Sequence, residues 1–253
     1  MMVSTSSARR VLVAAAAAAL GLALWPGGQG SVGPTAALAQ TTPSSARDEA
    51  VGRVERGRIV GWPGGDAVIY PTLGFFGNAQ IFAVGAVHDD GSFSVDLPAV
   101  VPVDLLGKST DQCSTIQASD PDALSNFTGN YLIFQHGKQI GATHSASSPG
   151  FASFTSFADG DTRTGLFYTD RDVTLGGFCD RQLSFGGFSI DFLQRFDIKA
   201  HRGWNKVVAV LHVPQPGHVI ATLTAGSNRR GEQWFFFPAP PTGMLSPMSP
   251  GDM

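Results

Sequence analysis

Between Ser189 and Lys199 the side chains alternate in character: Ile190, Phe192, Phe196 and Ile198 fall on one face, and Ser189, Asp191, Arg195, Asp197 and Lys199 on the other. A period of two sustained over that length admits a half-buried strand and excludes a helix, around which the same residues would spiral. The texture recurs from Val51 onward, where short apolar runs are separated by Gly, Pro, Asp and Asn every ten residues or so. Such punctuation belongs to sandwiches and barrels. We therefore expect an all-β chain, an antiparallel β-sandwich built as one large or two small sandwich domains.

Phe93, Val95 and Leu97 alternate with Ser92, Ser94 and Asp96 after an Asp89-Asp90-Gly91 turn, which closes a hairpin with residues 79–88. Further strands are expected over 58–62, 67–70, 131–135, 164–169, 173–178, 204–213, 218–225 and 232–237. Phe151, Phe154 and Phe157 recur every three residues and fit neither template, and are assigned to strand. The organisation that follows is a leader over 1–39, a polar linker over 40–50, a β-sandwich module over 51–107, a second β-rich region over 108–237 that could share the same domain, and a disordered Pro/Met-rich tail over 238–253.

Gly57-Arg58-Ile59-Val60-Gly61-Trp62, a strand around Val68-Ile69-Tyr70, and Asp89-Asp90-Gly91-Ser92-Phe93 through Pro98 together resemble the start of a carboxypeptidase regulatory-like (transthyretin-like) β-sandwich module. The resemblance spans residues 57–100. It departs from the family pattern at Val100 to Leu105, where a Gly-x-Tyr strand would normally follow. It implies a non-catalytic module, and it allows an accessory or inhibitory role beside a secreted hydrolase.

Arg9 and Arg10 precede an apolar run from Val11 to Trp25, and a Gly/Pro-rich stretch then ends in Ala37-Leu38-Ala39. This is the order of a cleavable signal peptide, with cleavage expected before Gln40. Pro26, Gly27 and Gly28 end the apolar run short of a bilayer span, so no membrane span is expected after cleavage. The expected location is exported: periplasmic, cell-envelope or secreted, in a bacterium. None of the 20 acidic residues lies in the first 39 positions, whereas two of the 17 basic ones do, so cleavage leaves the chain more acidic. An acidic surface without a Lys/Arg cluster repels phosphate backbones, and nucleic acid is not an expected partner.

No G-x-S-x-G elbow, Walker or Rossmann loop, H-E-x-x-H or C-x-x-C motif is present, so catalytic residues are assigned nowhere. The candidates for a metal are Asp159 and Asp161 around Gly160, Asp170 and Asp172 around Arg171, and His212 and His218 flanking Pro214-Gln215-Pro216-Gly217. The carboxylate pairs suit calcium, and imidazoles suit a transition metal. Turn and salt-bridge roles explain the aspartates equally well, and surface placement explains the histidines, so no cofactor is expected. The chain carries 18 Phe against three Tyr and four Trp. That composition favours a core over a sugar platform and leaves Trp62, if it stands at a loop tip, as the candidate glycan contact. Cys113 and Cys179 are the only cysteines, and in an exported chain they are expected to form one disulfide. The function expected is a non-catalytic exported protein acting by surface interaction with envelope proteins or polysaccharide. The rival is a periplasmic metalloprotein or metal-dependent enzyme using the histidines and aspartates.

Overall fold

A computed structural model describes residues 10–11, 52–74, 79–185, 188–226 and 231–239. The elements are β1 (Arg10–Val11), β2 (Arg53–Val60), β3 (Ala67–Leu73), β4 (Gln80–Ile81), β5 (Gly85–Val87), β6 (Ser92–Leu97), β7 (Gly107–Lys108), β8 (Ile116–Ala118), β9 (Leu124–Gln135), β10 (Lys138–Ala146), α1 (Pro149–Ala152), β11 (Phe157–Ala158), β12 (Thr162–Thr169), β13 (Val173–Phe185), β14 (Phe188–Ala200), β15 (Gly203–Gln215), β16 (His218–Ala225) and β17 (Gln233–Pro238). Single 3₁₀ turns precede β7 and β8. The linker, the tail from residue 240 and all of the leader except Arg10 and Val11 lie outside the described residues. Those two pair with Ala158 and Phe157.

The chain is all-β, as the alternation requires, but its strands close on themselves. From β3 the pairing runs through β5, β6, β2, β17, β10, β12 and β9 and returns to β3, an eight-stranded closed barrel. From β12 the hydrogen bonding continues outward through β15, β16, β14, β13 and β8. The antiparallel sandwich expected from sequence is thus corrected to a barrel with an outer extension. Two of its pairings, β14 with β16 and β17 with β2, are parallel. Alternation reports that strands exist and which face is apolar; it carries no information on which strand meets which, and closure is a matter of partners.

Local chemistry places several elements where they were expected. Gly91 adopts φ +80°, His88 N donates to Ser92 O and Gly91 N donates to His88 O, each at 2.8 Å, so β5 and β6 form a hairpin. The expected partner strand over 79–88 is instead broken into β4 and β5. In β14, Ile190, Phe192 and Ile198 are buried while Asp191, Asp197 and Lys199 are exposed. The Phe151–Phe154–Phe157 stretch is not one strand: Pro149 and the Ser148 cap start α1, Phe154 turns back with φ +56°, and only Phe157 enters β11.

Two large apolar cores result, beside a small third cluster of Leu73, Val101 and Tyr168. One fills the barrel with Ile59, Ile69, Val87, Val95, Tyr131, Ile133 and Leu166. The other lies against the extension, where Phe127, Phe151, Phe167, Leu175, Ile198 and Leu211 meet. Between the cores run β10 and β12, buried on both faces: Ala142 to Ala146 and Thr162 to Arg163 to Thr164 are all shielded from solvent. A strand with apolar cores on both sides is where a polar side chain is most costly to place.

Candidate functional site

The shared wall has a fork in it. β9 pairs with β10 from Gln135 to Tyr131, then leaves it and pairs with β12 from Phe127 to Ser125. β10 meets β12 only at Ser145 and Ala146. At the point of splaying, the Thr128 hydroxyl takes over from the ladder, accepting from Leu166 N at 2.8 Å and donating to Leu166 O at 3.2 Å. His144, Arg163 and Gly165 belong to the strands that meet at this fork.

A cavity of about 80 Å³ opens from it. One wall is the inner face of β12, β15, β16 and β14, where register aligns Gly165 with Val207, Arg163 with Ala209, Ala209 with Leu223, and Ala221 with Gln194. The small residues Gly165, Ala209 and Ala221 make the hollow. A side chain at Gly165 would meet nothing nearer than Thr128 Oγ1, 3.5 Å from an added Cβ. Phe127, Phe151, Phe154, Leu183, Phe192 and Leu223 supply an apolar lining, and the polar members are Thr128, His144, Arg163 and Gln194. Half-buried Phe154, Leu183 and Gln194 mark the open side.

Two of those polar groups are buried without adequate partners. Arg163 is 7% exposed and His144 is 2% exposed. Among the described residues Arg163 has no carboxylate partner. Its Nη2 donates to Asn130 Oδ1 at 3.4 Å, at the long limit for such a bond, and its Nη1 is buried with no partner. The guanidinium lies 4.2 Å from the centre of the Phe154 ring, a cation–π contact. Burial alone pushes its pKa down to about 9. Both ring nitrogens of His144 are buried without a hydrogen bond of normal geometry. Burial first and the Arg163 charge second hold this imidazole's pKa well below its usual value, against weaker opposing help from the backbones of Gly129 and Ser145. His144 is therefore a neutral ring beside a cation.

The rim is held by its own chemistry. The Ser148 hydroxyl donates to Asp161 Oδ2 at 3.1 Å and accepts from Phe151 N at 3.2 Å, starting α1. Asp161 also accepts from the Ser147 hydroxyl and from Ala158 N. The turn after α1 leaves Phe154 in the left-handed region, which costs a bulky residue about 1–3 kcal/mol. That strain sets the ring against Arg163. Neither a family model, a curated protein nor a solved structure matches this chain.

Of the residues singled out from sequence, Asp161 holds the rim through Ser147, Ser148 and Ala158, and the others are placed elsewhere. Asp159 accepts from Val213 N at 2.9 Å and meets His212 Nδ1 at 2.7 Å, so these two candidates come together. His218 stands 3.3 Å from Asp191, Asp172 accepts from Arg202 N and faces His201, and Asp170 accepts from Leu124 N and pairs with Arg171. The β15–β16 turn is tight, with Gln215 opposite His218. Among the described residues no three His, Cys, Asp or Glu side chains gather as a metal would require. Trp62 is half-buried against the barrel core, edge-on to Phe236 at 5.7 Å, with its indole nitrogen buried and unpartnered. Cys113 and Cys179 meet at disulfide distance, their Cα atoms 5.7 Å apart, joining the segment before β8 to β13. No helix among the described residues is long and apolar enough to cross a membrane.

Sequence reasoning did not select His144, Arg163 or Gln194. Gln194 did leave a signal, as the polar interruption on the apolar face that carries Ile190, Phe192, Phe196 and Ile198. His144 and Arg163 sit in Thr/Ser-rich strands without alternation, where a two-sided burial is not readable.

Proposed function

We propose that this chain is an exported, non-catalytic binding protein that takes a small molecule into the cavity at the fork of β9, β10 and β12. The observation that carries the reading is the pairing of an apolar hollow with two buried polar side chains, Arg163 and His144, whose hydrogen-bonding capacity the described residues leave largely unused. An apolar pocket with a few convergent polar groups is the usual form of a small-molecule site. The non-catalytic part rests on the missing catalytic motifs and on the resemblance of residues 57–100 to non-catalytic modules. Export rests on the leader. The interaction expected at the surface is thereby moved to an interior site.

A thermal-shift panel of small organic compounds, neutral and charged, tests the reading on the purified protein. We expect at least one class to raise the melting temperature of the parent protein and to leave Gly165→Val unmoved, since valine suits a strand and occupies the hollow. A panel in which no compound shifts the parent protein overturns it.

A further inference from the structure

Arg163 decides what kind of small molecule the cavity takes. Its guanidinium carries five N–H donors in a planar fork, and the described residues offer it one long bond to Asn130 and the face of Phe154. A desolvated cation without a counter-ion is among the most costly groups a fold can hold, whereas the same cation against an anion is held by charge-assisted hydrogen bonds. Nothing on the cavity wall supplies that anion: the lining polar residues besides Arg163 are Thr128, His144 and Gln194, all uncharged. The complement must come with the ligand.

The charge count limits the ligand further. One cation beside one neutral imidazole balances a single negative charge, and a dianion such as a phosphate monoester would leave its second charge desolvated. The planar fork matches the two oxygens of a carboxylate, and the neutral ring of His144 can donate one further N–H. The hollow over Gly165, Ala209 and Ala221 is apolar and about 80 Å³ in volume. Room for one water takes about 10–15 Å³, so the space suits a compact hydrocarbon body rather than a sugar ring with hydroxyls to satisfy.

We propose that Arg163 and His144 receive the head group of a small monocarboxylic acid whose apolar body fills the hollow over Gly165, an inference that rests on the cavity being the binding site. Gly165 then has a specific role: a side chain there would stand where the body of the acid lies. Phe154, held in its strained turn, lines the same cavity and carries the guanidinium 4.2 Å from the centre of its ring.

Calorimetric titration of the purified protein at neutral pH, with sodium carboxylates from propionate to octanoate and the primary amides of the same lengths, tests this. A charge-assisted bond exceeds a neutral one by enough to give the acids about tenfold tighter binding than their amides. Arg163→Gln should level the two series, and Arg163→Lys, which keeps the charge and loses the fork, should restore part of the difference. Amides that bind the parent protein as tightly as the acids overturn the proposal while leaving the cavity as a site. An acid preference that survives in folded Arg163→Gln also overturns it. Should Arg163→Gln fail to fold, Gly165→Val decides, because it must abolish acid binding with Arg163 intact, and undiminished acid binding there places the acids elsewhere. Binding of neither series to the parent protein sinks the cavity reading itself.

Discussion

His144 takes its electrostatic character from where it is buried rather than from any bond it makes. In the folded chain, desolvation and the neighbouring Arg163 hold its pKa well below 6.5, whereas the unfolded ring titrates near 6.5. Between those two values the unfolded state binds the extra proton, so stability is fully present above about 6.5 and is lost as pH falls through the window below it. The slope approaches about 1.4 kcal/mol per pH unit. We expect urea unfolding of the parent protein to weaken between pH 6.5 and 5, and His144→Leu to flatten that dependence. Equal slopes would mean that the ring is not held neutral. Asp159 and Asp172, whose pKa values are lowered chiefly by backbone bonds from Val213 and Arg202, act in a different window and lose their contribution only as pH falls through the carboxylate range. Neither His144 nor Arg163 was legible beforehand, because a charged or titratable residue in sequence reads as surface until the topology puts a second core over it.

At the scale of elements, alternation was a sound guide wherever a strand has one wet face. β14 is the clearest case, and it allows a sharp comparison. Ile198 is fully buried and its neighbour Lys199 exposed, so Ile198→Ala should cost about 2–5 kcal/mol in chemical denaturation, and Lys199→Ala should stay within about 0.5 kcal/mol. Similar losses from the two would place the wrong face against the core. The guide failed where both faces are dry or where the chain turns between cores. β10 and β12 mix Thr, Ser and Gly with apolar residues on each side; β12 was foreseen from Thr164 onward and β10 not at all. The three phenylalanines from Phe151 to Phe157 belong to a cap, a strained turn and a short strand, and their mutual edge-on packing at 5.9 to 6.3 Å is tertiary. Three-residue spacing says nothing of that.

For the whole molecule, the deciding strand is β17. It lies between β10 and β2, pairing antiparallel with the first and parallel with the second, and it brings Trp234 against Phe93 and Tyr131 with ring centres 4.9 Å apart in both cases. We expect a chain ending at Gly231 to lose its cooperative urea transition, a larger effect than any single core truncation. An unchanged midpoint would show that the barrel does not depend on closure. That strand also fixes a schedule. A polypeptide emerging amino end first delivers β2 early and its second neighbour only after some 170 further residues have appeared, in an order set by synthesis or threading. Through all that time one edge of β2 has no partner within the chain, and open edges recruit strands from other molecules. Fidelity of folding in this protein is consequently a question of what shields an early strand while it waits.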